Sequence, residues 1–242
     1  RLQVTRLRDR LWAHLGSIPG VLLNGPLVRS SGHILNVSVE GVEGESLHAG
    51  LSGLAVASGS ACSSLTDEPS YVLRALGRSA ALARSSVRFS FGRATSSDDI
   101  DRAAEIFGST VAGLRRRAPQ SARSGAPASE IPGTLLARGE AGSMEVGTWV
   151  VFEAWVQDGR VSRMASQLYG CPDTQAACDL AGQLLTGGPV AGLGTLDPLA
   201  LGANLGISAE KSARLLIIQD ALRNCLADWD NRRSDDPRNL LT

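Results

Sequence analysis

Between Ala118 and Pro132 the chain is rich in Pro, Ser, Ala and Gly with no apolar period, and this stretch falls at the middle of 242 residues. A segment of that composition has no face to bury, so each side of it must build a core of its own. Each side is also close to an ordinary domain size of about 100–150 residues. We therefore expect a first domain over 1–118, a flexible linker over 119–134, a second domain over 135–230 and a charged, frayed tail over 231–242.

In the first half, Leu2, Val4, Leu7, Leu11, Trp12 and Leu15 recur at helical spacing with arginines between them, and Gly16 to Gly20 ends the pattern. Val21 to Asn24 reads as a short strand entering a turn, and His33 to Val39 as a second strand. A helix is expected over Ser46 to Leu54, a short strand at Val56, a helix over Pro69 to Leu76 stopped by Gly77, and a strand over Ser86 to Phe91. The helix from Ser97 to Arg117 opens on Ser96, Asp98 and Asp99 and closes on Arg115 to Arg117, so both ends suit its dipole.

In the second half, Thr148 to Val156 and Val161 to Tyr169 flank Gln157-Asp158-Gly159-Arg160, a hairpin with an Asp-Gly turn. Cys171-Pro172-Asp173 starts a helix running to about Leu185, a Gly-Gly-Pro break follows, and a last helix runs from Ser208 to about Asp230. Strands and helices in both halves place the chain in the α+β class.

Composition excludes some functions. The 24 basic and 24 acidic residues cancel, so no global field draws nucleic acid or an anionic membrane surface. No apolar stretch is long enough to span a bilayer, and the N-terminus reads as an amphipathic helix rather than a signal peptide, so a cytoplasmic location is expected. Cys62, Cys171, Cys178 and Cys225 form no close pair, which argues against a disulfide framework or a zinc site.

Cys62 closes the run Ser58-Gly59-Ser60-Ala61-Cys62, whose small residues let the backbone bend, and residues 63–68 are polar and unpatterned. A loop thiol alone is more often idle than functional. Its context is more specific. The blocks Ile34-Leu35-Asn36-Val37-Ser38, Val42-Glu43-Gly44-Glu45-Ser46-Leu47, Ser58 to Cys62, Glu68 to Gly77 and Ser85 to Arg93 resemble, in order and spacing, the C-terminal part of the cysteine desulfurases. Those are pyridoxal-phosphate enzymes of the class V aminotransferase group, and the resemblance covers roughly 1–118.

That resemblance implies the small C-terminal domain of a fold-type I pyridoxal-phosphate enzyme acting on L-cysteine. Cys62 would attack the substrate sulfur and carry it as a persulfide, and Arg88 would bind the substrate carboxylate. It also implies a homodimer that delivers sulfur to an acceptor or an iron–sulfur scaffold protein. The family's cofactor lysine, the aspartate on the pyridine nitrogen and the stacking histidine belong to a large domain preceding the matched part. Lys211, the sole lysine, lies in the other half, in the first turn of the last helix. The chain is thus expected to be a portion of a longer protein, without cofactor-binding residues of its own and unable to turn over cysteine alone.

Tyr169-Gly170-Cys171 after a hairpin, with a final helix ending Leu226-Ala227-Asp228-Trp229, resembles the U-type scaffold of iron–sulfur cluster assembly over about 135–230. That family places cluster thiolates at three points, and only Cys171 is present: Ser143 to Thr148 and Ser212-Ala213-Arg214 contain no cysteine. A cluster needs about four ligands, so none is expected here, and Cys171 is the one candidate metal ligand. Its place before a helix N-terminus favours a thiolate, which makes it a candidate acceptor of sulfur from Cys62. Cys178 and Cys225 fall within helices and are expected in the core.

Two other readings compete. One is a non-catalytic sulfur carrier or assembly adaptor, and the other a cluster-binding protein that shares Cys171 with cysteines of another subunit.

Overall fold

The computed structural model describes residues 2–28, 30–58, 69–118 and 134–234. The chain separates into two compact units, Arg1–Arg117 and Ala118–Thr242. Each mixes helices with an antiparallel sheet and so is α+β.

The first unit runs α1 (Leu2–Leu15), β1 (Val21–Leu23), β2 (Ile34–Val39), α2 (Gly44–Gly50), β3 (Ala57–Ser58), α3 (Tyr71–Ala75), α4 (Ala80–Arg84), β4 (Ser86–Ser90) and α5 (Ser97–Arg117). Its strands form one antiparallel sheet in the order β1-β2-β4-β3. Because successive residues of a strand face opposite sides, Leu35, Val37 and Val39 of β2 and Val87 and Phe89 of β4 are buried on one face. They pack with Leu7, Leu11 and Leu15 of α1, Leu47 of α2, and Ile100, Phe107 and Val111 of α5. Phe89 and Phe107 meet edge to face at 5.9 Å between ring centroids.

Local chemistry sets the ends of these elements. The expected helix over 46–54 instead begins at Gly44, because the Glu43 carboxylate accepts from the backbone N–H groups of Glu45 and Ser46. It ends at Gly50 rather than Leu54. At the start of α5 the Asp99 backbone N–H donates to Ser96 Oγ, while Asp99 Oδ2 accepts from both the backbone N–H and the hydroxyl of Ser96. This reciprocal cap holds the Asp99 carboxyl below its ordinary range. The segment expected as one helix over 69–76 is shorter, and α4 follows it, capped by Ser79 Oγ accepting from the Leu82 N–H.

The second unit runs β5 (Thr134–Ser143), β6 (Thr148–Gln157), β7 (Arg160–Tyr169), α6 (Pro172–Leu185), α7 (Gly192–Thr195), α8 (Pro198–Leu205), a 3-10 turn (Ala209–Lys211) and α9 (Ser212–Ser234). The strands form a meander, β5-β6-β7, whose hairpin turns at Asp158 and Gly159 with positive φ at both. Val150, Phe152, Ala154 and Val156 of β6 are buried against α6, α8 and α9 through Ala177, Ala181, Leu201, Ile218 and Leu222. α9 lies directly on β5 at Gly139, where a Cβ would overlap the backbone of Ala221 and Cys225. β5 and α8 have no counterpart in the sequence reading, and the last helix continues through 231–234, where a frayed tail was expected. No helix among the described residues is long and apolar enough to cross a membrane.

Candidate carboxylate site and thiols

The face of the first sheet turned from the apolar core is polar. Asn36 of β2 pairs with Arg88 of β4, which pairs in turn with Ala57 of β3. Asn24, just past β1, donates its backbone N–H to the Asn36 carbonyl at 2.9 Å and so extends the row by one strand. Side chains at 24, 36 and 88 therefore stand side by side across the sheet. Ser38 and Ser86 occupy the next position on this face and are fully buried.

Among the described residues, Arg88 Nε is a buried donor without a hydrogen-bond partner. A buried N–H of a charged group left unmatched costs about 1–3 kcal/mol or more, so such a group needs a reason. The planar guanidinium suits a carboxylate, which accepts two parallel N–H bonds. Around it Arg78 and Asn24 are already matched: Arg78 Nε donates to Asn24 Oδ1 at 2.7 Å and Arg78 Nη2 to the Leu23 carbonyl at 2.6 Å. Asn24 Nδ2 donates to Asn36 Oδ1 at 2.6 Å and to Ser38 Oγ at 2.8 Å. The sequence reading assigned no role to Asn24, Asn36 or Arg78. Asn36 stands inside a block it singled out, but only the strand register aligns it with Arg88.

Cys62 lies outside the described residues. The chain enters 59–68 from β3, whose Ala57 and Ser58 pair with Arg88 and Val87, and leaves it towards α3. Of the histidines, His48 on α2 makes a 3.0 Å hydrogen bond through Nε2 to the Ser86 carbonyl, tying that helix to β4, and His33 is exposed.

In the second unit, Cys171 is the residue before α6, fully buried, with its sulfur 3.3 Å from Thr174 Oγ1. Cys178 and Cys225 are core residues as expected. Burial pushes the Cys178 thiol far up, and burial with the nearby Asp228 carboxylate pushes Cys225 up to about 12. No group of three or more His, Cys, Asp or Glu among the described residues is arranged to hold a metal ion. Lys211 lies in the 3-10 turn rather than in the last helix, and its ammonium pairs with Asp173 Oδ2 at 2.8 Å with 30% of its side chain exposed. A cleft of about 630 Å³ between β6, β7 and α6 is lined by residues that include Phe152, Met164, Cys178 and Asp179, and Cys171 is not among them.

Residues 2–103 match the aminotransferase class-V family. Cysteine desulfurases are among the proteins to which this half of the chain is similar. The cysteine desulfurase IscS of Methylococcus capsulatus is 51% identical over 117 residues, 48% of this chain and 29% of that protein. The cysteine desulfurase IscS of Colwellia psychrerythraea is 52% identical over 116 residues, with the same two coverages. The chain thus spans less than a third of the length of these relatives. Among solved structures, a NifS-like protein from Rickettsia africae aligns at 20% identity with a TM-score of 0.37, over 45% of this chain and 28% of that one.

Proposed function

We propose that the first unit is the C-terminal part of a cysteine desulfurase, in which Arg88 binds the α-carboxylate of L-cysteine and Cys62 takes the sulfur. The observation that carries this reading is the unpartnered, buried Nε of Arg88 on the polar sheet face, within a segment about half identical to enzymes of that name. The thiolate of Cys62 attacks the substrate sulfur, the S–S bond forms as the substrate C–S bond breaks, and alanine leaves with a proton in place of its sulfur. The resulting persulfide passes to an acceptor thiol or an iron–sulfur scaffold protein in the cytoplasm.

Pyridoxal phosphate in the intact enzyme supplies the activation of the substrate that makes its C–S bond breakable. The described residues do not fit that cofactor: the first unit has no lysine, and Lys211 is engaged with Asp173. The cofactor therefore sits on residues outside this chain, in an enzyme that works as a homodimer, and this stretch does not turn over cysteine alone. The second unit is a U-type scaffold-like domain without a cluster, and Cys171 is a candidate sulfur acceptor that needs a local opening, because it is fully buried.

A chimera tests the proposal. Residues 1–118 replace the corresponding segment of the Methylococcus capsulatus desulfurase, and sulfide release from L-cysteine is measured. Activity that disappears in Cys62→Ser supports the reading, whereas a folded, cofactor-loaded chimera without activity overturns it. A carrier or adaptor would instead show no activity in the chimera while this chain accepts labelled sulfur from a complete desulfurase.

A further inference from the structure

The hydrogen-bond directions around Asn24 are fixed by a group that can only donate. A guanidinium has no acceptor, so the side chain of Asn24 must turn its oxygen to Arg78 Nε. Its amide nitrogen then faces Asn36 and Ser38, and Asn36 in turn must present its own oxygen to receive that bond. Both amide orientations follow from Arg78, one after the other, and the NH₂ of Asn36 is left as the outward donor. Among the described residues it has no hydrogen-bond partner. Asn36 occupies the register position of Arg88 on the neighbouring strand, where facing side chains start about 4.5–5.5 Å apart at Cβ.

We propose that Asn36 is a second donor to the carboxylate held by Arg88, and that Arg78 is the positioning residue that sets its orientation through Asn24. This rests on the reading of Arg88 as a carboxylate site. A carboxylate has about four acceptor positions, and a guanidinium fork fills two of them. An amide NH₂ beside the fork fills a third, and it discriminates against a ligand whose oxygens are absent or esterified. With the orientation reversed, Asn36 would set a carbonyl oxygen against the carboxylate, which repels it. The relay thus makes the row selective for an anion.

The test is a titration of the full chain, ¹⁵N-labelled at Asn and Arg, with L-alanine and acetate as carboxylate probes and alanine methyl ester as the control. The side-chain NH₂ of Asn36 and the Nε–H of Arg88 should shift along one saturation curve, with the ester moving neither. Arg78→Met should raise the midpoint of that curve at least threefold with the backbone spectrum retained, and Arg78→Lys, still a pure donor, should restore most of it. If Arg88 shifts while Asn36 stays still, the assignment of Asn36 fails and the Arg88 site stands; this comparison needs no variant. An unchanged midpoint in a folded Arg78→Met chain likewise defeats the positioning role. If neither side chain responds, the Arg88 reading falls and takes this one with it.

Discussion

Arg88 and Asn36 stand at one register position on adjacent antiparallel strands, on the sheet face turned from the apolar core. The core needs neither side chain, so both are free to serve a ligand. Losing a charge-assisted hydrogen bond costs about 1.5–3 kcal/mol, roughly a 10- to 100-fold effect. In the chimera described above, Arg88→Gln should raise KM for L-cysteine by that factor. In this chain Arg88→Met should leave the thermal midpoint within a few degrees, because a buried, unmatched N–H is removed with the charge. A large drop in the midpoint would mean that Arg88 holds the fold together instead.

Gly139 is the contact point of α9 on β5. A methyl group there meets the α9 backbone at Ala221 and Cys225, which cannot move without shifting the helix. Gly139→Ala should destabilise the second unit by about 1–3 kcal/mol, as overpacking does. At about 4–8 °C per kcal/mol for a domain of this size, calorimetry would register the loss easily. An unchanged midpoint would contradict the close approach of α9.

Asp99 and Asp101 both have carboxyls lowered from 3.8, Asp99 by its hydrogen bonds from Ser96 and Asp101 by those from Arg10. Their folded-state values lie below the unfolded ones, so their contribution to stability is present above about pH 4. It is lost as pH falls from there through the lowered values. Denaturant unfolding of the first unit should show this acid slope, flattened in Asp99→Asn combined with Asp101→Asn. An identical slope in that variant would sink the assignment.

Cys178 and Cys225 have the opposite sign. Their thiols are raised from 9.0, so their contribution is whole below pH 9 and fades as pH rises above it. At pH 8 in native buffer neither should react measurably with iodoacetamide over an hour, while both react in denaturant, as peptide mass mapping would show. Rapid native labelling at either position would contradict their burial.

The sequence was most legible where one local signal decides the structure. The Asp158-Gly159 turn, the Ser96 cap and the apolar period of α1 each stand where their residues imply. β5 was not legible because its strand pattern is broken by Gly139 and Gly142, and both glycines are explained only by their neighbours: α9 against the first, Thr148 against the second. α8 carried readable signals, Asp197 and Pro198 at its start and Gly206 in left-handed conformation at its end, but eight residues gave too little period to count. The Arg78–Asn24–Asn36 relay joins residues 54 and 12 apart in sequence, and no spacing rule connects them. Helix α2 shows the reverse limit, since Glu43 capping moved its start ahead of the apolar pattern.

The most direct test of the account is where the sulfur goes. The chimera would be mixed with a single equivalent of sulfur-labelled L-cysteine, quenched by alkylation and mapped by peptide mass spectrometry. The account predicts labelled sulfur on Cys62, absent when Arg88 is replaced by Gln at low substrate. A fully active chimera that carries no label at Cys62 would contradict it.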